Sequence, residues 1–532
     1  MDAADIPQGL TKAGLMAYTV NFMVGTGFLT LPRAVVDSGL VLGTFVLFGT
    51  GLLSIIASDC TLEALARAGP ILKLRTPRAT GLAGQISREN SDSAFPYGAV
   101  LEPEEESDED KEKKSSTLRG VAGSLGEEPW LLGQGRIEMP QLVHIFLGES
   151  GSRAYVGLVI IYIYAAMWAY CVLVASTLST ALPLTGNETE GKLYSYWLYL
   201  VSFGLMTTFF STRDLTGPFM SSLNIAFTYG RMAMVLAVTV TLSHGLWRAY
   251  FDDNDDASGG NYGFLGGGGG PTGLGSDLAD GVYEPSAPAP LWRPEGLPTM
   301  LPTTIYSLIF HYSIPTLAEP MRDKKMVGSA FSMSVLVTVV AYWLISVAAG
   351  AYFGGDTMPA VSLNWASYRP AGAFAPFGAV VRNFVVFFPA LSLVSSYPLL
   401  AITLSNNMEA VSTLELPRSA WRVLAAAPPV VISVFVTDLT TVTAVAGLFG
   451  YIVVLIFPLL LQRASARACS ELLGPGRDAT AYSTVFTSSP CALAVCGAVV
   501  GVVTTGSAFS LVGTLVVAPL FAPAEDAASP WP

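Results

Sequence analysis

The sequence predicts an all-α integral membrane protein of about eleven transmembrane helices, set out as a 5+5 inverted repeat with helices 1 and 6 broken. Three observations lead there. The 532 residues are 52% hydrophobic and only 13% charged, with a mean hydropathy of +0.51, whereas a soluble domain carries about a quarter charged residues. The apolar residues gather in long runs, such as 40–58 and 154–175, and a run of about 18 or more matches a hydrocarbon core about 30 Å thick. Small, polar or proline residues interrupt the first and sixth runs near their middles.

The expected spans cover 14–34, 40–66, 151–178, 193–212, 219–246, 300–319, 327–353, 378–403, 421–437, 440–462 and 490–521. The first run starts near Ala13 without a strongly basic leader, so it is expected as a span and not as a signal peptide. The span at 421–437 is short and carries Pro428 and Pro429; the last is long enough to tilt or break. The resulting organisation is helices 1–2 over 1–66, a cytosolic acidic loop over 67–150 and helices 3–5 over 151–249. A non-cytosolic loop follows over 250–297, then helices 6–10 over 298–465, a cytosolic linker over 466–489, and helix 11 with a short tail over 490–532.

Orientation follows from the basic residues. With the N-terminus in the cytosol, six of the 28 Lys and Arg fall outside (Arg33, Lys192, Arg248, Arg293, Arg369 and Arg382), Arg231 lies within a span, and the remaining 21 are cytosolic. The sequon Asn187-Glu188-Thr189 falls in a non-cytosolic loop, which makes Asn187 a glycosylation candidate. Both long loops are low in complexity. One holds LEPEEESDEDKEKK, a charge block too polar to fold, and the other GGGGG at 266–270, which opens no helix and is no phosphate-binding loop.

The net charge of −12 and the scarcity of basic patches argue against nucleic-acid binding. The five cysteines fall in spans or on the cytosolic side, so no exposed disulfide framework is expected, and Cys491 and Cys496 read as ordinary packing. Paired aspartates in suitable spans, an HExxH zinc motif and ATPase motifs are all missing, so an intramembrane enzyme is disfavoured.

Chemistry concentrates at the two interruptions. The first span reads AGLMAYTVNFMVGTGFLTLP, with Gly25, Thr26 and Gly27 at mid-membrane; alone, this GxG reads as helix packing. The sixth reads LPTTIYSLIFHYSIPTLAEP, with His311, Ser313 and Pro315 near its middle. Proline removes a backbone donor there, and an opened backbone at that depth is tolerated only inside protein or beside a polar cavity. Breaks at corresponding positions of two halves point to a solute site.

The segment NFMVGTGFLTLP at 21–32 resembles the first-helix signature of the amino acid/auxin permease family. GRIEMPQLVHIF at 135–146, FHYSIPTLAEPMRDKK at 310–325, the stretch 363–407 and TDLTTVTAVAG at 437–447 resemble its transmembrane protein 104 branch. The resemblance implies a leucine-transporter-like fold of eleven spans and secondary transport of neutral amino acids or related zwitterions. It implies a site lined by Asn21, Val24, Gly25, Thr26, Gly27 and Phe28, to which the paired break in the sixth span adds His311 and Ser313. Backbone amides around Gly25–Gly27 would receive the substrate carboxylate. Asn21 with Ser392, Ser395 or Ser396 of the eighth helix would hold a sodium ion; no other cofactor is implied.

Several readings stay open. His311 suits proton coupling or packs against a carbonyl. Arg231 snorkels to the cytosolic surface or faces the bundle. Tyr162, Tyr164, Trp168 and Tyr170 pack against lipid and core or wall the site. A non-transporting sensor or scaffold on the same fold is the alternative function. The plasma membrane and an endomembrane such as the vacuole or lysosome are equally compatible.

Overall fold

The computed structural model describes residues 10–25, 27–75, 130–132, 137–184, 189–213, 218–251, 287–367, 375–412, 414, 416–474 and 478–512. Among these the chain is helical, and its only β pairings are two isolated bridges, Leu10–Met321 and Trp130–Thr480.

Helix α1 (Lys12–Met23) starts at Thr11, whose hydroxyl accepts from the Gly14 amide, the usual way to satisfy a first-turn donor. It gives way to α2 (Gly27–Ser38), and the two are bent by 62°. Gly39, at φ 90°, turns the chain into α3 (Leu40–Arg75). A Cβ there would come within 2.6 Å of the Trp292 amide nitrogen, so the clasp of residues 290–293 over this turn requires glycine. Next come α4 (Met139–Ala181), kinked at Gly148, then α5 (Thr189–Ser211) and α6 (Pro218–Phe251).

The expected sixth span is interrupted. Helix α7 (Leu297–Ser307) stops, a 3-10 turn covers His311–Ser313, and a single helical turn, α8 (Ile314–Ala318), follows. Helices α9 (Val327–Phe353), α10 (Ala375–Val411) and α11 (Arg418–Phe435) come next. Helix α12 (Leu439–Tyr451) runs through a π turn at Ile452–Ile456 into α13 (Phe457–Leu473), and α14 (Val485–Ser488) and α15 (Pro490–Val512) complete the described chain.

One continuous apolar core joins α1, α2, α4, α7, α9, α10 and α12. Outward faces carry bare apolar side chains such as Leu205 (71% exposed) and Phe435 (80%), the surface a bilayer covers. The protein is an integral, multi-pass, all-α membrane protein.

The span count corrects the sequence reading. Six helices are long and apolar enough to cross a membrane among the described residues: Leu40–Leu72, Met139–Ala181, Lys324–Asp356, Phe377–Glu409, Leu439–Leu472 and Pro490–Phe509. The bent pair α1–α2 raises this to seven at most. The expected eleven-span, leucine-transporter-like 5+5 inverted repeat is therefore not what the structure contains. Apolar runs overstate spans where the helix is cut. The 300–319 run leaves α7 with 11 residues, about 16 Å of helix at 1.5 Å per residue. The 421–437 run becomes an 18-residue helix with two internal prolines. Helices do form over 193–212 and 219–246, but neither is among the six.

Candidate functional site

The two interrupted segments meet. Helix α1 ends where the Val24 amide donates to Val20 O and the Gly25 amide folds back onto Met23 O at 2.7 Å. Helix α7 ends at Ser307, with the Leu308 amide donating to Ile305 O. From α9, the Tyr342 hydroxyl lies 2.9 Å from Met23 O and 3.3 Å from Ser307 O. It thus serves carbonyls released at both breaks, groups that otherwise lack intrahelical partners. Tyr312 adds a second link: its ring meets Phe22 edge-on at 5.6 Å and Tyr162 at 5.9 Å.

Two cavities adjoin this junction. The larger, about 440 Å³, is bounded by Phe22, Tyr155, Tyr312 and Ser313 and by the polar groups of Glu138, Thr316 and Asn406. The smaller is bounded by Gly25, Phe28, Leu173, Arg231, Pro389 and Ser392, and at about 10 Å³ it has roughly the room one water needs. Arg231 donates from Nη2 to Ser396 Oγ at 2.6 Å.

The expected site residues fall into separate groups. Gly25, Phe28 and Ser392 share the small cavity, and Ser313 borders the large one. Val24 is buried at the end of α1. Gly27 is a packing residue, since a Cβ there would lie 2.4 Å from Ser307 Oγ and 2.5 Å from Ser307 Cα. Asn21 Oδ1 is buried without a hydrogen-bond partner among the described residues and borders neither cavity. Ser392 and Ser395 bond back to their own helix, at Pro389 O and Ser392 O; Ser396 does so to Ser392 O while accepting from Arg231. His311 is sealed against α3, where its Nε2 donates to Ser54 O at 2.9 Å while Nδ1 has no partner among the described residues. Thr26 and Asn187 lie outside the described residues.

The structure decides one reading left open above and adds two features that the sequence did not show. Arg231 turns into the bundle and does not snorkel away; its signal was a charge ten residues into an apolar helix. Tyr342 carries no sequence signal, being one of five aromatics in α9 with Phe331, Trp343, Tyr352 and Phe353. The third is a buried ion pair inside α3, Arg67 Nη2 to Glu63 Oε2 at 2.5 Å, with side chains 2% and 1% exposed. Arg67 also donates to Gln462, Ser465 and twice to Asp478 O, so all five of its N–H groups are used. Asp59, Glu63 and Arg67 recur every four residues, the spacing that puts charges on one helix face. This clamp ties residues 478–488 to the bundle beside Trp130, whose amide and carbonyl pair with Ala479 O and the Ala481 amide. Tyr482 donates to Lys324 O at 2.7 Å. Burial pushes its phenol up to about 12, so it stays a donor at neutral pH.

Among the described residues no group of His, Cys, Asp and Glu is placed to hold a metal ion. What these elements define is a multi-pass membrane protein with two helix interruptions joined in its interior. No protein-family model matches the chain. Along most of its length it is similar to transmembrane protein 104. It is 23% identical to the Drosophila melanogaster homolog over 498 residues, covering 86% of this chain and 89% of that protein. Against the human protein the figures are 22% over 466 residues, with 82% and 83% covered, and against the Gallus gallus protein 23% over 497, with 87% and 88%. Similarity of this breadth marks distant homology to transmembrane protein 104, and nothing in it reaches the wider amino acid/auxin permease family. A solved manganese transporter mutant from Eremococcus coleocola overlays 98% of both chains at TM-score 0.41 and 11% identity, a likeness too slight to carry an argument about fold or cargo.

Proposed function

We propose that the chain is a secondary active transporter of neutral amino acids or related small zwitterions, working by alternating access and coupled to sodium or protons. The observation that supports this most is the junction at Tyr342, where two interrupted segments present backbone groups to one another inside the bundle. Interrupted helices at membrane depth are where transporters hold polar solutes. A zwitterion suits such a place because it brings both charges close together. Its ammonium would face the carbonyl ends of α1 and α7, where the helix dipole is negative, and its carboxylate the amino end of α2. The large cavity bounded by Tyr312 and Ser313 provides an approach from one side.

Coupling has two versions. Sodium would use neutral oxygens, beginning with the unpartnered Asn21 Oδ1 and the serines at 392–396. Protons would use His311, the ionisable side chain at the second break. The test is uptake of a panel of labelled neutral amino acids into liposomes holding the purified chain, with sodium and proton gradients imposed separately. Gradient-dependent accumulation is expected. Specific binding of a solute without accumulation under either gradient would replace transport by the sensor reading.

A further inference from the structure

We propose that Arg231 forms an anion subsite against the first helix break, taking a small monoanion: the carboxylate of the carried solute or a chloride ion. Two arginines inside this bundle, the buried Arg67 and the half-buried Arg231, are treated in opposite ways. Arg67 has a carboxylate at 2.5 Å and uses every N–H it has. Arg231 makes one hydrogen bond, to the neutral Ser396 hydroxyl, and no carboxylate lies within ion-pairing distance of it among the described residues. A positive charge within a membrane bundle calls for a counter-charge or a polar path, and among the described residues no carboxylate supplies the counter-charge.

The geometry says where the missing charge belongs. Arg231 borders the small cavity together with Gly25 and Ser392, so the charged side chain and the chain segment after Met23 line one space, while the Ser392 hydroxyl is already bonded to Pro389 O. Gly25 leaves that space open: a Cβ built on it meets nothing closer than Tyr170 Oη, at 3.8 Å. Tyr170 adds a hydroxyl donor from α4. The cavity, about 10 Å³, admits one small group at a time, which favours a carboxylate or a halide over phosphate or sulfate. The Arg231 N–H groups that Ser396 does not use would form charge-assisted hydrogen bonds with such an ion. Phe28, Leu173 and Leu393 give the cavity its apolar walls.

For the carboxylate this inference rests on the proposed solute site; for chloride it stands alone. The experiment is a melting titration of the purified full chain with sodium chloride and, separately, with neutral amino acids and their amides, which lack the carboxylate. Wild-type protein is expected to show a saturable rise in melting temperature with chloride or with the acids, and none with the amides. Arg231→Gln should weaken that response at least tenfold, and Arg231→Lys, which keeps the charge, should weaken it less. Gly25→Leu fills the cavity while leaving Arg231 and Ser396 in place, so it should abolish the response even where Arg231→Gln folds poorly. A chloride response identifies the ion; a response to acids alone identifies the solute. No saturable response to either probe, or equal responses in wild type and in Gly25→Leu, would overturn the subsite. Uptake that persists unchanged in Arg231→Gln removes the subsite and leaves transport standing. Arg231-dependent binding without uptake does the reverse.

Discussion

Replacing Gly27 with alanine adds one methyl group where α2 crosses the end of α7. That methyl would sit 2.4 Å from Ser307 Oγ and 2.5 Å from Ser307 Cα. The hydroxyl can rotate away; the α-carbon cannot. Ordinary carbon contacts begin near 3.5 Å, so the two helices must part by roughly 1 Å. Overpacking a filled interior costs about 1–3 kcal/mol, and here the yielding partner is backbone. The same displacement moves Ser307 O against the Tyr342 hydroxyl. Gly25→Ala is the matched control, two residues away, with 3.8 Å to its nearest neighbour. Both variants are scored by the temperature at which the detergent-purified monodisperse peak is lost. Gly27→Ala is expected to melt clearly below wild type, and Gly25→Ala close to it. Equal melting of the two would refute the claim that Gly27 is held by packing. The sequence alone gives the two glycines the same standing; the structure separates them.

Three further outcomes follow from the described contacts. Arg67→Met leaves Glu63 buried at 1% exposure without its partner, at a cost of about 3–5 kcal/mol; Glu63→Leu in the same chain should recover most of the lost melting temperature, and no recovery would count against a paired-charge cause. Tyr342→Phe removes the shared donor to Met23 O and Ser307 O, worth about 1 kcal/mol, and should cut solute uptake more than it lowers melting; a fall in melting alone would reduce Tyr342 to a stabilising contact. His311→Gln can still donate to Ser54 O, so its melting should stay near wild type, and since His311 borders neither cavity accumulation should survive. Loss of pH-driven accumulation with exchange intact would instead establish His311 as the coupling group.

Much of this was legible in the letters and some of it was not, for physical reasons. Apolar run length reports that a segment belongs in lipid, so the membrane class was plain. It does not report whether the segment is one rod. The 3-10 turn at His311–Ser313 and the one-turn α8 cut the sixth run, the first is bent, and the helices over 193–212, 219–246 and 421–437 are not among those long and apolar enough to cross, which is how eleven expected spans became six or seven among the described residues. The positions of both breaks were readable, because glycine and proline act locally on the backbone. What the side chains at those breaks face was not. Gly25 and Gly27 are the same residue two apart; only the placement of α7 makes one open and the other tight. Arg231 announced itself as a charge in an apolar helix, but its direction depends on α10 supplying Ser396. Glu63 and Arg67 sat in a stretch scored for its apolar content, where a pair four apart passes unnoticed.

A phenol carries one hydrogen, and Tyr342 stands between two takers for it. At 2.9 Å from Met23 O and 3.3 Å from Ser307 O, the bond favours the first while the second stays within a small turn of the C–O bond. Sliding α1 away from α9 by a few tenths of an ångström would therefore strand no donor, because the hydrogen can swing to Ser307 as Met23 recedes. In this one contact a rocking first half-helix would lose little hydrogen bonding, with the tyrosine as its pivot.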